Sequence, residues 1–335
     1  MNLFARNINF AFIGILMIGV PALIFASLFL GTTPIPVIDV AAGLFGIGST
    51  SDIIIIQEIR LPRALAAFVA GACLGAAGGA LQGLLRNPLA DPGVLGVSSA
   101  AALGAVIVIY FNLAALSVWI VPVASISFAL GATALLALVG AASMSPTRLI
   151  LVGVGLSSFA GALTSLAMTM SPNPFALADL LNWLFGTVAN RSFHDLALVM
   201  PFVLLGILLV AAQARNLTVL TLGEETAESL GVDLKRTRVL LITGASLLVG
   251  ASVAVAGAIG FVGIIAPHLV RPLVGHDPAK VIAPAALLGG ALLLGADTLI
   301  RVLPFDQEMR LGVVAALIGA PGFVWVAATT RRSLA

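Results

Sequence analysis

The chain has 335 residues, 60% of them apolar and 9% charged, with a mean hydropathy of +1.17. A soluble domain carries roughly 25% charged residues, and a folded soluble surface needs more polar cover than this chain owns, so a soluble globule is excluded and lipid is the solvent. The formal charge of +2 comes with no basic cluster that would fit nucleic acid.

The N-terminus, MNLFARNINFAFIGILMIGVPALIFASLFLG, has one arginine before an apolar run longer than a signal-peptide core. It lacks a small-x-small cleavage site before TTPIP and reads as a retained first span. A spanning helix needs about 20 mostly apolar residues, fewer inside a bundle. Reading between turn signals places spans at 10–31, 61–86, 93–110, 116–142, 147–170, 194–213, 237–257, 260–273, 280–301 and 311–328. The expected fold is therefore all-α and integral to the membrane, a tightly packed bundle of about ten helices forming one polytopic domain over 1–335.

Within the second span Gly71, Gly75, Gly79 and Gly83 recur every four residues, the small-xxx-small ridge that lets two backbones approach closely in lipid. The polar turn RNPLADP follows; Asn87-Pro88 and Asp91-Pro92 each offer an N-cap with proline at the first helical position, and the turn is expected on the cytoplasmic side. Later, Ala214 to Arg238 carries Glu224, Glu225 and Glu228 followed by Lys235, Arg236 and Arg238. Thr218 to Leu222 reads as a short half-apolar piece, Glu224 to Leu230 as a short helix and Gly231 as its stop. About 20 structured residues on an otherwise tightly looped chain suggest a docking platform. RLPRALAAFVAGACLGAAGGAL and RTRVLLITGASLLVGASVAVAGAIG both run from paired arginines into a small-residue helix, an echo with the form of an inverted repeat.

Ten spans with both termini inside put Arg6, Arg86, Arg148, Arg215, Lys235, Arg236, Arg238, Arg271, Lys280, Arg331 and Arg332 on the cytoplasmic side. Arg60, Arg63, Arg191, Arg301 and Arg310 fall outside, so the 16 basic residues split 11 to 5 as the positive-inside bias requires.

Much chemistry is missing. No GxxxxGK[ST] phosphate loop exists, and neither lysine, Lys235 nor Lys280, follows a glycine. His194, His268 and His276 lack metal-ligand spacing, Met168 and Met170 read as core filling, and the lone Cys73 allows no intramolecular disulfide. Ion-coupled carriers keep an ionisable group at mid-membrane; the nearest candidate, Asp297, sits one turn from Arg301 and reads as a helix-end pair. The expectation is a conduit that binds no metal or cofactor and takes its energy from elsewhere.

Five segments in order, RLPR (60–63), NPLADPGVLGVS (87–98), LGEETAESLGV (222–232), AGAIGFVGIIAPHLVR (256–271) and LGVVAALIGAP (311–321), make the chain resemble the FecCD family over nearly its whole length. These are membrane permease subunits of binding-protein-dependent ABC importers for iron–siderophore complexes, haem and vitamin B12. The resemblance implies a multi-pass subunit of the bacterial cytoplasmic membrane that is not itself an enzyme. It would pair with a second permease subunit, here as a homodimer. Two ATPase subunits would use ATP and magnesium below, and a periplasmic or surface-anchored substrate-binding protein would dock outside. It implies that Thr218, Leu222, Gly223, Glu224, Glu225, Glu228 and Gly231 form the ATPase-coupling loop, within about 214–238. Arg60, Arg63 and Arg301 match outer positions that pair with acidic residues of the binding protein, and Asn87, Leu89, Ser145 and Thr147 match an inner gate. The chain departs from the family where Arg310 stands in place of the usual proline and Ala100 in place of a glycine.

Overall fold

In the computed structural model the described residues are 2–31, 33–93, 95–140, 146–303 and 308–330, with side chains described between 12 and 138 and between 148 and 324. The helices are α1 (Asn2–Phe29), α2 (Val37–Leu44), α3 (Thr50–Ile54), α4 (Leu61–Leu84), α5 (Val97–Tyr110), α6 (Ile120–Gly140), α7 (Pro146–Thr169) and α8 (Pro174–Leu184). There follow α9 (Phe193–Ala212), α10 (Ala214–Leu220), α11 (Glu224–Ser229), α12 (Leu234–Ala256), α13 (Val262–Val270), α14 (Pro278–Val302) and α15 (Leu311–Thr330). Each of the ten expected spans has its helix. Seven are long and apolar enough to cross a membrane, while α5 and α13 are shorter apolar helices.

The second span does not begin at Leu61. A π-helical segment, Ile55–Arg60, joins α3 to α4, so the helix runs 35 residues from Thr50. Pro62 explains it: proline has no N–H for the residue four back and its ring crowds that carbonyl. A wider π turn relieves the crowding, and the Leu61 N–H bonds to the carbonyl of Ile56, five residues back.

The glycine ridge does what its spacing implies. A Cβ on Gly71 would lie 2.1 Å from the Gly289 carbonyl oxygen, and one on Gly75 2.1 Å from that of Ala285. Only glycine lets α4 and α14 come this close. The two echoing segments, around α4 and α12, are the most buried long spans, at 78% and 83%. They pack on each other, with Ser252 Oγ donating to the Ala70 carbonyl at 3.1 Å. The core is therefore built around α4 and α12, with α14 and α13 against α4, and α9 and α6 against α12.

At 1.5 Å per residue the 14 residues of α5 span about 21 Å and the nine of α13 about 14 Å, short of a hydrocarbon core of about 30 Å. Both are half-helices preceded by non-helical chain. Such backbone is tolerated at membrane depth only where protein or a cavity surrounds it.

Candidate functional site

The 87–96 turn is not a pair of helix caps. Asn87 Oδ1 accepts from the Leu89 N–H at 2.9 Å, and Asp91 Oδ1 accepts from the Gly93 N–H at 2.5 Å. Each carboxyl or amide thus closes its own two-residue turn, and α5 starts later, at Val97 behind Gly96 with φ +77°. Nor does the segment stay at one end of the bundle. Ser157, midway along α7, donates to the Gly93 carbonyl at 2.9 Å. A Cβ on Gly263 would lie 3.1 Å from the Pro92 ring and 3.3 Å from the carbonyl of Leu74, near the middle of α4. Residues 91–93 therefore sit at mid-depth, and Asp91 lines a cavity of about 300 Å³ with Ser98, Ser99 and Thr164. This is the mid-membrane carboxylate the sequence reading missed; a short Pro/Gly-rich segment reads as an external turn, and nothing local reveals that it folds inward.

Of the expected gate residues, Asn87 is half-buried and Leu89 is 37% exposed at the start of this segment. Ser145 lies outside the described residues, and Thr147 lies in the first turn of α7 with its side chain outside them. At the same end of α4 the chain closes on Arg86, a non-glycine residue at φ +49°, with Asn87 N bonded to Gln82 O and Arg86 N to Gly83 O.

That guanidinium reaches the charged segment. Glu224 Oε1 lies 3.5 Å from Arg86 Nη2 and 2.6 Å from Arg238 Nη2, so one carboxylate ties the α4–α5 turn to the foot of α12. Thr218 Oγ1 donates to Asp277 Oδ1 at 2.7 Å, tying α10 to the cap of α14. Against its partial burial, Thr218, Lys280 and the Ala279 N–H hold the Asp277 carboxyl below its ordinary range. The short helix ends at Ser229; Gly231 at φ +86° donates to Glu228 O while Val232 N donates to Ala227 O, the left-handed helix stop expected of this glycine. Gly223, at φ +104°, sets its start. With this skeleton pinned, Leu222 and Leu230, each 62% exposed, and the exposed Glu225 and Glu228 form a mixed apolar and acidic surface.

At the opposite end Arg60 and Arg63, which the resemblance assigns to an incoming acidic partner, are both engaged inside the protein. Arg60 is 5% exposed and donates to the carbonyls of Leu28, at 2.6 Å, and Thr33. Arg63 grips Asp297 from Nε and Nη2 at 2.9 and 2.7 Å and also bonds Glu308. Arg301 Nε stands 3.2 Å from Asp297 Oδ2, at ion-pair distance without hydrogen-bond geometry, and Nη1 donates to Ser27 O and Leu30 O. The helix-end pairing of Asp297 with Arg301 is present, but Arg63 is the closer partner. Three guanidiniums and two carboxylates thus bind together the ends of α1, α4 and α14 and the approach to α15. The most exposed member is Glu308, whose side chain is 41% exposed. Spacing along one helix could not show this, because the partners lie 234 and 245 residues away.

Among the described residues no three His, Cys, Asp or Glu side chains gather as metal ligands. His268 Nδ1 is buried without a partner near Arg271, whose Nη2 donates to Gln82 Oε1 at 2.6 Å.

The sequence profile of the FecCD transport family matches residues 16–329. The chain is 39% identical to the cobalamin import system permease protein BtuC of Halobacterium salinarum, over 88% of this chain and 80% of that one. It is 35% identical to the hemin transport system permease protein HmuU of Yersinia pestis, over 95% and 96%. A solved structure described as an inward-facing conformation of a metal-chelate type ABC transporter superposes with a TM-score of 0.84 at 32% identity, covering 97% of this chain and 99% of the other.

Proposed function

The chain belongs to the FecCD transport family, whose members are non-catalytic, cofactor-free permease subunits of ABC importers in the cytoplasmic membrane, and from that premise we propose that two copies of it enclose a path for ferric siderophore or haem. The observation that carries this reading is the outer face of α7. It is the least buried of the long spans, at 17%. Its exposed residues Gly155, Ser158, Ala162, Ser165 and Thr169 recur at intervals of three and four, so small and hydroxyl groups make one stripe. Plain lipid contact calls for no such stripe, whereas a second helix or a wet path uses both properties. The identity to a cobalamin permease supports cobalamin as the second reading of the cargo.

On this reading, with both termini cytoplasmic, the surface of Leu222, Glu225, Glu228 and Leu230 receives the ATPase, and Thr218, Gly223, Glu224 and Gly231 hold it in shape. Asn87, Leu89, Ser145 and Thr147 form the inner gate. Arg60, Arg63 and Arg301 form the docking base for the binding protein, and an incoming carboxylate takes the place of Glu308 on Arg63. Substrate-stimulated ATP hydrolysis by the complex, assembled in lipid with its ATPase and binding protein, tests the proposal. A panel of ferric siderophores, haem and cobalamin should stimulate selectively. Stimulation by cobalamin alone would replace the first reading of the cargo, and no stimulation by any chelate would remove the reading altogether.

A further inference from the structure

Arg310 is the residue that the family pattern does not account for, and its contact leads to a second cavity. Arg310 Nη2 donates to Asn182 Oδ1 at 2.5 Å. Asn182 lies in the wall of a cavity of about 680 Å³ between α8 and the C-terminal end of α5, at the Arg63 end of the bundle, the outer one on the proposed orientation. Phe175 and Trp183 supply flat apolar walls, and Asn112, Asn173, Asp179, Thr187 and Tyr110, whose hydroxyl donates to the Met170 carbonyl, add to the polar lining.

The hydrogen-bond inventory of these walls is unequal. Asn173 Oδ1 is occupied by the Ala176 N–H, Asn182 Oδ1 by Arg310, and Thr187 Oγ1 by the Ala189 N–H. Each of these oxygens thus already accepts one bond inside the protein, while the two amide NH₂ groups and the Thr187 hydroxyl proton have no acceptor among the described residues and are free to donate. The guanidinium on Asn182 also polarises that amide toward stronger donation. The one carboxylate, Asp179, is exposed and has no ion pair or hydrogen bond among the described residues. A volume of a few hundred Å³ with apolar walls and a few convergent polar groups is that of a small-molecule site.

We propose that this cavity is a cargo subsite of the permease itself, taking a chelate that combines hydrogen-bond-accepting oxygens with a cationic arm. The donors face the oxygens, Asp179 faces the cation, and Arg310 sets the donor wall through Asn182. The inference rests on the reading of the chain as an importer permease.

The test uses the permease–ATPase complex in lipid nanodiscs, with Trp119→Phe and Trp325→Phe leaving Trp183 as the sole tryptophan of the permease. The probes are a ferric trihydroxamate bearing a free ammonium arm, its N-acetylated neutral counterpart and ferric tris(catecholate). Quenching at position 183 is read by selective excitation of 5-hydroxytryptophan incorporated into the permease alone. The ammonium form should bind about three- to fivefold more tightly than the acetylated one, the scale of one exposed ion pair. Asp179→Asn should abolish that difference, and Arg310→Pro or Asn182→Ala should weaken both hydroxamates. Asp179→Lys should shift preference toward the tris(catecholate). The melting temperature of each variant complex reports folding separately. Co-purifying ATPase with an unquenched Trp183, or an ammonium preference that survives Asp179→Asn, would overturn the subsite alone. Failure of the ATPase to co-purify with the wild-type chain would remove the permease reading and the subsite with it.

Discussion

Replacing Asp91 by asparagine keeps the oxygen that closes the turn onto Gly93 N and removes only the charge. If Asp91 serves the turn alone, Asp91→Asn should leave uptake unchanged, while Asp91→Ala should cost about 1 kcal/mol by orphaning the Gly93 N–H. A carboxylate that meets cargo in the mid-depth cavity gives the other pattern. Uptake then falls at least tenfold in Asp91→Asn with the melting temperature unchanged, and that is the outcome expected from its place beside Ser98, Ser99 and Thr164. Asp297 differs, because its oxygens compensate two guanidiniums while only 1% exposed. Asp297→Asn leaves Arg63 and Arg301 facing each other without their shared countercharge, so a loss of about 3 kcal/mol is expected. Chemical denaturation in detergent would measure it; a change below about 1 kcal/mol would mean that Glu308 and the carbonyls of α1 suffice.

At the scale of an element, the segment proposed to receive the ATPase separates shape from contact. Gly223 at φ +104° stands where proline, held near −65°, cannot, so Gly223→Pro should displace α11 without touching the lipid-facing spans. Glu224→Lys places a cation between Arg86 and Arg238 and should displace the same surface by repulsion. Both variants should reach the membrane at wild-type levels and lose ATPase association. Retained association and uptake in both would remove the docking role. The same segment shows what the sequence made legible. The run of acids, Gly231 and the bases after it marked a short helix and its stop, because those signals are local. Which bases Glu224 meets was not legible, since Arg86 comes from a turn 138 residues earlier (224 − 86). The ten spans were legible for the same reason, each being an apolar run between turn signals. α2, α8 and the π turn were not, since the first two are short and the last arises from a single proline acting on the turn before it.

For the whole molecule, the α7 stripe decides between a lipid-facing surface and one shared with a second copy. Ser158 and Thr169 turn their hydroxyls back to the carbonyls of Val154 and Ser165, at 2.9 and 2.8 Å, so the stripe is smooth and costs little to expose to either. Cysteine chemistry distinguishes the two. Cys73 is buried and is replaced by serine to remove background reaction. Single cysteines at Ser158 or Ser165 should then crosslink between two copies of the permease under mild oxidation, or react with a water-soluble maleimide where the path is wet. Phe159 and Leu166, 63% and 52% exposed on the neighbouring flank of the helix, serve as comparison positions. The test applies at the inner end of the proposed path as well. A cysteine at Asn87 should crosslink to its mate in one state of the ATP cycle and not in another, because a gate must open, and uptake should stop while the link holds. Reaction of the stripe cysteines only with membrane-soluble reagents, with no link between copies, would place α7 against lipid and leave the path to be sought elsewhere in the bundle.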